Sequence, residues 1–421
     1  MKRPDFHIVV VGGGMVGACA AALSAANPHL AGLRIAVLEA QPPTMPPPLG
    51  NDAEVDLRVS AISRSSERIL ASVGAWSLLP AQHICAYDDM VVWDAPRQPD
   101  DPGAVRFDAG AIGEPNLGHI IENRRTQWAL YDCAPFREQV TLLRAELTGL
   151  EFQTDRAVLS LGDGRRISAA LVIGSDGAAS RSRAFAGIET RGWDYGQHAF
   201  VTHVRTERAH GYTAWQRFLP DGPIAFLPLA DGRSSIVWTT RPEHAGELVA
   251  CPPEDASRQI GAALGHVLGA VELAGPRGAF PLRLKHAREY CRERFVLVGD
   301  AAHAVHPLAG QGVNLGFMDC AALVQILGDV LASGARAEAI AERRVLRRYE
   351  RWRKSENSLA LGLIDTLNRV FSSPHPLLST ARRAGLAAVE HSALAKRFFM
   401  GRALGTRGEV PRIVSRPAGW P

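Results

Sequence analysis

The stretch FHIVVVGGGMVG, residues 6–17, constrains this chain more than any other. Its first six residues, apolar but for His7 and rich in β-branched side chains, read as a buried strand of a parallel sheet. The run stops at three glycines and gives way to small residues over 15–27, which read as a helix. Gly12, Gly14 and Gly17 thus form G-x-G-x-x-G between a strand and a helix. The first glycine permits a tight turn, the second lets backbone approach a diphosphate, and the third lets the helix pack closely on the sheet. Met15 and Val16, the first helical residues, add unpaired N–H groups and the positive end of the helix dipole. Parallel strands need helical crossovers, so the chain is expected to be α/β.

The same stretch imitates a targeting segment. Residues 6–33 carry no charged side chain, and Lys2-Arg3 precede them. A membrane-spanning or signal helix would not be broken in its middle by glycine at 12, 13 and 14, whereas strand-turn-helix accounts for all three.

A second strand over 34–38 ends at Glu39, 25 residues after Gly14, with Asn27–Gly32 supplying the extra length. A carboxylate there accepts both hydroxyls of a ribose and repels a 2′-phosphate, so the expected ligand is FAD or NAD rather than NADP. Further along, residues 41–52 form a proline-rich loop, and helix propensity returns over Ser65–Val73. Residues 157–173 read as a hairpin, and 212–240 as a sheet-forming run outside the dinucleotide unit.

The segment FVLVGDAAHAVHPLAGQGVNLG at 295–316 selects FAD. Asp300 follows a short buried strand, where open sheets bind ligands, and its carboxylate can hold a ribityl hydroxyl. The amides of Gly312, Val313 and Asn314 open a helix from about Val313 to Ala332. They can face the flavin edge that gathers negative charge on reduction. Asp300, His303 and His306 also admit a metal-site reading, which lacks further ligands, and His303 a purely structural one. His303 and Tyr212 are candidate bases for a phenol. Phe218, Ile224, Phe226 and Trp238 either line a pocket for a greasy substrate or pack a sheet.

Charge is distributed unevenly. From Arg336 onward there are 17 basic against 7 acidic residues, while the first 335 carry 30 against 36. The basic end is either a solvated helical surface or an attraction for anionic lipid or an acidic protein. Stacking aromatics are not interleaved with it, which argues against nucleic acid. Six cysteines, at 19, 85, 133, 251, 291 and 320, show no metal or disulfide spacing and read as buried thiols in a reducing cytosol.

The segment GDAAHAVHPLAGQGVNLG resembles the second FAD motif of the single-component flavoprotein aromatic hydroxylases. GSDGAASRSR, residues 174–183, resembles their Asp-Gly motif, with Ser175 where alanine is usual. DLRVSAISRSSERIL (56–70), WQRFLPDGPIAFLPL (215–229) and NRVFSS (368–373) are similar to the subgroup acting on polyprenylated phenols in ubiquinone synthesis. The resemblance runs from about residue 6 to 373.

That resemblance implies a Rossmann-like FAD-binding domain of the glutathione-reductase type, built from 1–85, 116–184 and 281–335. A β-sheet substrate domain (86–115 and 186–280) and a basic helical region (336–421) complete it. It places Arg58 and Pro307 near the flavin ring, with Gly312–Asn314 bordering it. Arg124 falls at the diphosphate and ribityl region, Asp176 and Gly177 against FAD, and the Leu147 backbone against the adenine. Arg183 meets FAD or the reductant. Residues 131–136 and the loop 94–115 depart from the family pattern.

No second strand-linked G-x-G-x-x-G occurs, so NAD(P)H must reach the same flavin. The implied activity is hydroxylation of a polyprenylated phenol with NAD(P)H and O2 through a flavin hydroperoxide. The expected setting is the cytoplasm, at the inner membrane's periphery or in a ubiquinone-biosynthesis complex. A hydroxylase of a soluble aromatic or secondary metabolite, and a flavin-bound non-catalytic member of such a complex, remain open.

Overall fold

A computed structural model of the protein describes residues 3–47, 55–304, 312–372, 385, 388–406 and 408–415. Parallel strands β1 (Phe6–Val11), β2 (Ile35–Leu38), β3 (Val140–Leu143), β4 (Arg166–Gly174) and β5 (Phe295–Leu297) lie in the order β3-β2-β1-β4-β5. Val10 pairs with Val37 on one side and Ile173 on the other, and Gly174 pairs with Leu297. Successive strands run outward from β1 to β3, and the chain then returns beside β1 to lay down β4 and β5. The order therefore reverses between β1 and β4, which opens a crevice at their carboxyl ends. Strand Ala157–Leu161 pairs antiparallel with β4, as the hairpin reading of 157–173 required, and Leu147–Phe152 pairs antiparallel with Ala157–Leu161 in turn.

Helix α1 (Met15–Ala26) is buried over Gly17–Ala25, between the sheet and helix α2 (Gly312–Ala332). Its near-absence of polar side chains follows from being covered on all sides. The same holds for α2, long and apolar enough to cross a membrane yet mostly buried here. Helix α3 (Arg343–Ser372) packs on α2. Its basic residues are largely on the outside, but Tyr349, Arg353 and Asn357 face inward and are fully buried.

A second sheet of nine strands draws its strands from 89–108, 190–287 and 303–304. The run 212–240 supplies Thr213–Leu219, Gly222–Pro228 and Ser234–Thr240. Helices Pro242–Ala250 and Pro253–Leu264 cover one face, where Ile224, Phe226 and Trp238 meet Ala245, Leu248 and Ile260 in one apolar core. Those three residues pack the sheet and line no pocket; only Phe218 is on the opposite face, beside Val92. The strands Val59–Ile62, Cys85–Tyr87 and Gly118–Glu122 form a small third sheet between the two. Helices Asn123–Asp132 and Ala134–Gln139 meet at an extended Cys133, because Pro135 starts the second helix and cannot continue the first.

Candidate cofactor site

The loops after β1, β2, β4 and β5 all leave the same edge of the parallel sheet. Gly12 has φ +94° and lies so close to the β4 loop that an added Cβ would be 2.7 Å from the Asp176 Cα. A Cβ at Gly17 would meet the Gly12 carbonyl oxygen at 1.9 Å. At Gly14 the situation is opposite: a Cβ would meet no protein atom within 4 Å. Two glycines are thus needed for protein contacts, and the middle one opens onto free space. No side chain caps the amino end of α1 beyond Gly14, so its first amides face that space.

Glu39 closes the turn from the side. Its Oε2 accepts from Gly13 N at 2.7 Å and its Oε1 from Gln41 N at 2.9 Å. Each oxygen keeps a lone pair for a further donor. The Gly13 carbonyl accepts from Gln127 Nε2 at 2.8 Å and from the Tyr131 hydroxyl at 2.9 Å. Gln127 and Tyr131 occur four apart on one helix, on one face. That periodicity is visible in the sequence, though not the carbonyl it serves.

After β4, the Asp176 carboxylate turns inward. It accepts from Ser180 Oγ (2.6 Å), Ser182 Oγ (2.7 Å) and Ser182 N (2.8 Å), which fixes the loop rather than projecting into the crevice. Ser175 donates towards the Val11 and Gly12 carbonyls at 2.9 and 2.8 Å, so the unusual serine ties β4 to the glycine turn. Gly177 has φ +77°, a conformation suited to glycine. Arg183, nearly buried, bridges Ala178 O and Ala301 O at 3.0 and 2.8 Å, joining the second of the three glycine-rich segments (174–183, after the first at 12–17) to the third (299–314). Burial lowers its pKa from the usual arginine range.

The third segment meets the first through Val16, whose methyls would lie 2.9 Å from a Cβ at Gly299 and 2.6 Å from one at Gly316. Asp300 lines the crevice, open to solvent but closely walled by protein. The crowding of protein atoms around it raises its carboxyl pKa, opposed by the charges of His303 and Arg58. Arg58, distant in sequence, is therefore near enough for its charge to act on Asp300. Arg124 is held by the buried Glu122 carboxylate at 2.9 Å, which also takes Arg125 at 2.5 Å. Hydrogen bonds from Asp56 N and Arg125, with the Arg124 and Arg125 charges, outweigh burial and keep the Glu122 pKa low.

Leu147 is buried at the start of its strand, with its side chain in the main core. Asn314 is buried too, and its amide staples α2 to Ala61 O (2.8 Å) and Ser63 N (3.0 Å). Its side chain is committed there, so any part it plays toward a ligand falls to its backbone. Pro307 and His306 lie outside the described residues.

Beneath this segment is a buried polar cluster that the sequence did not announce. Asp319 of α2 is inaccessible to solvent and accepts from Gly299 N (3.1 Å), Arg353 Nε (2.8 Å) and Asn357 Nδ2 (3.0 Å). His303 Nε2 is 2.5 Å from Oδ2, the oxygen that also accepts from Gly299 N, while Arg353 and Asn357 share Oδ1. The positive charges of His303 and Arg353, with their hydrogen bonds, outweigh burial and lower the Asp319 pKa to about 2. Arg353 and Asn357 are four apart, which is the one hint available from sequence. His303 is thus an ion-paired interior residue. Tyr212 is 60% exposed at a turn, unsuited to act as a shielded base. Among the described residues no group of three or more His, Cys, Asp or Glu could hold a metal. A separate cavity of about 620 Å³, between Gly110–Glu114 and the segment around Arg397 and Gly401, includes none of the site residues above.

A crevice at a strand-order reversal, with a free glycine edge, uncapped helix amides and a carboxylate at the second strand's end, fits the diphosphate and ribose of FAD. The FAD binding domain family matches residues 128–356. The chain belongs to the FAD-dependent aromatic hydroxylases, a family of monooxygenases. It is 38% identical over 410 residues to 3-demethoxyubiquinol 3-hydroxylase of Escherichia coli (strain K12), covering 96% of this chain and 100% of that protein. Ubiquinone hydroxylase UbiL of Rhodospirillum rubrum is 37% identical, over 97% of this chain and 92% of its own. The fold is similar to p-nitrophenol 4-monooxygenase PnpA from Pseudomonas putida DLL-E4, with TM-score 0.73, 19% identity and coverage of 96% and 99%.

Proposed function

We propose that this protein hydroxylates the aromatic ring of a polyprenylated phenol in ubiquinone biosynthesis, with FAD as resident cofactor and NAD(P)H and O2 as co-substrates. The observation that carries the reading is the convergence of the β1, β2, β4 and β5 loops on one crevice. The names of relatives aligned along nearly the whole chain supply the substrate class.

The dinucleotide unit is of the glutathione-reductase type, with the antiparallel pair at 147–161 as its characteristic extension. Gly12, Gly14 and Gly17 with the amides of Met15 and Val16 hold the diphosphate, and Glu39 accepts from the adenine ribose. The Leu147 backbone borders the adenine. Asp300 accepts from the ribityl chain, while Arg124 stands over the ribityl and diphosphate region. Asp176 and Gly177 act through backbone, since the Asp176 carboxylate is committed to Ser180 and Ser182. Arg58, Pro307 and the amides of Gly312, Val313 and Asn314 border the flavin ring.

Bound FAD supplies the electron transfer and oxygen activation. The chain supplies position, exclusion of water, and the positive end of α2 toward the ring's pyrimidine edge. The reductant reaches the same ring, since a single dinucleotide crevice serves both. A lipophilic substrate and the basic C-terminal region support work in the cytoplasm at the inner membrane's surface, or within a ubiquinone-biosynthesis complex.

Two measurements test this. Deleting the gene should accumulate an incompletely hydroxylated polyprenylated phenol. Purified protein with NAD(P)H should convert that compound, consuming O2. A deletion strain with an unaltered quinone profile would overturn the substrate class. Tightly bound flavin that never turns over with any phenol would instead mark a non-catalytic member of a complex.

A further inference from the structure

The nine-stranded sheet has one face sealed by helices and one turned toward the cofactor site. On the sealed face Trp93, Phe200, Ile224, Phe226 and Ile236 are completely inaccessible. On the other face one row crosses the strands in register: Val92, Gln216, Ala225, Val237, Val201 and Gly278. Members of this row keep residual exposure, with Val92 at 8%, Ala225 at 7% and Val201 at 9%. Val237 is half-buried although its strand is interior to the sheet and its neighbours are buried. At the middle of this face Val237 thus keeps some contact with solvent, while helix α3 approaches the strands Thr213–Leu219 and Gly222–Pro228.

The row leads to the cofactor site. A Cβ at Gly278 would meet the Leu57 side chain at 2.8 Å. Leu57 precedes Arg58, whose charge acts on Asp300.

Gln216 is the polar member of this apolar row. Its neighbours fix its direction: Trp215 packs on the helix-covered core, and Arg217 donates to Ala263 O at 3.2 Å on that same side. Gln216 therefore projects the opposite way, between Val92 and Ala225. It is 6% exposed, and its amide oxygen is buried with no hydrogen-bond partner. A buried, unpartnered carbonyl is costly unless something occupies it during function. Val92 and Ala225 flank it in register and it bears no charge, so a neutral donor on an apolar ring suits it.

We propose that Gln216 is the specificity-determining residue for the substrate headgroup: its amide oxygen accepts the phenolic O–H and so sets which ring edge faces the flavin. This rests on the function proposed above.

The test compares a 2-prenylphenol with the prenylbenzene lacking the hydroxyl, titrated against holoenzyme by tryptophan fluorescence. Wild type should hold the phenol about tenfold more tightly, the worth of one well-made hydrogen bond. Gln216→Met, close in shape, should lose that preference by weakening the phenol alone, with an unchanged or higher Tm because a stranded polar group is gone. Gln216→Asn, which keeps the amide but retracts it, should reduce the preference as well, and serves should the Met variant fail to fold. An undiminished preference in either folded variant overturns the proposal, and an ordered water would then be the amide's partner. Wild type that binds neither compound overturns the substrate class and this proposal together. Hydroxylation of the phenol with preference intact in the variants removes Gln216 alone.

Discussion

Asp319 offers the sharpest check on how the third glycine segment is held. Asp319→Ala removes a fully buried carboxylate and strands Arg353, itself 2% exposed, without its counter-charge. Breaking one partner of a buried pair in this way costs about 3–5 kcal/mol. The direction of the carboxyl's own titration agrees. A pKa of about 2 against an ordinary 3.8 corresponds to a contribution on the order of 2 kcal/mol. The pKa is depressed on folding, so that contribution is present above pH ~4 and is lost as pH falls toward 2. Since whole domains are stable by only about 5–15 kcal/mol, the variant should fold marginally and release FAD. Urea unfolding of Asp319→Ala, Asp319→Asn and wild type, with flavin release followed by fluorescence, measures both effects. Asparagine retains an acceptor but not the charge and should fall between the other two. Asp319→Leu with Arg353→Met, which removes the carboxylate and its arginine partner but leaves His303 in place, should recover part of the loss. An alanine variant within about 1 kcal/mol of wild type, with normal flavin retention, would refute this account.

Other expectations follow from the same geometry. The purified protein should be yellow, and Asp300→Ala should lower its FAD content after gel filtration; full retention would contradict the ribityl role. Gly12→Ala, forced at φ +94° against the Asp176 backbone, should lose about 2–4 kcal/mol in denaturant titrations. Gly14→Ala should stay within about 1 kcal/mol of wild type, yet bind FAD at least about tenfold more weakly, because its methyl occupies ligand space. Burial lowers the pKa of both His119 and His286 to about 4. The unfolded chain protonates these groups first, so stability should fall as pH drops from about 6.5 toward 4; a flat urea midpoint over that range would show the burial to be wrong.

Much of this protein was legible in the order of its residues. Strand, glycine turn and helix at 6–27, the carboxylate at Glu39, and the Asp300 segment are local patterns, because a phosphate-binding turn is made by adjacent residues. The sheet run at 212–240 was equally plain from its alternation, but alternation cannot say which face is covered. Ile224, Phe226 and Trp238 went to the helices, and Gln216, on the other face, drew no attention. The role of Asp176 was also hidden: an acid in a motif looks the same whether it reaches a ligand or binds its own loop.

Sequence by itself determined that a dinucleotide unit begins this chain and that its ligand is a flavin, since both depend on backbone conformations set within a few residues. Only the tertiary structure decided that Asp319, Arg353, Asn357 and His303 form one ion-paired cluster, and that the charge of Arg58 acts on Asp300. Burying a charge requires partners from wherever the chain crosses in space, and no spacing along the sequence records where those crossings fall.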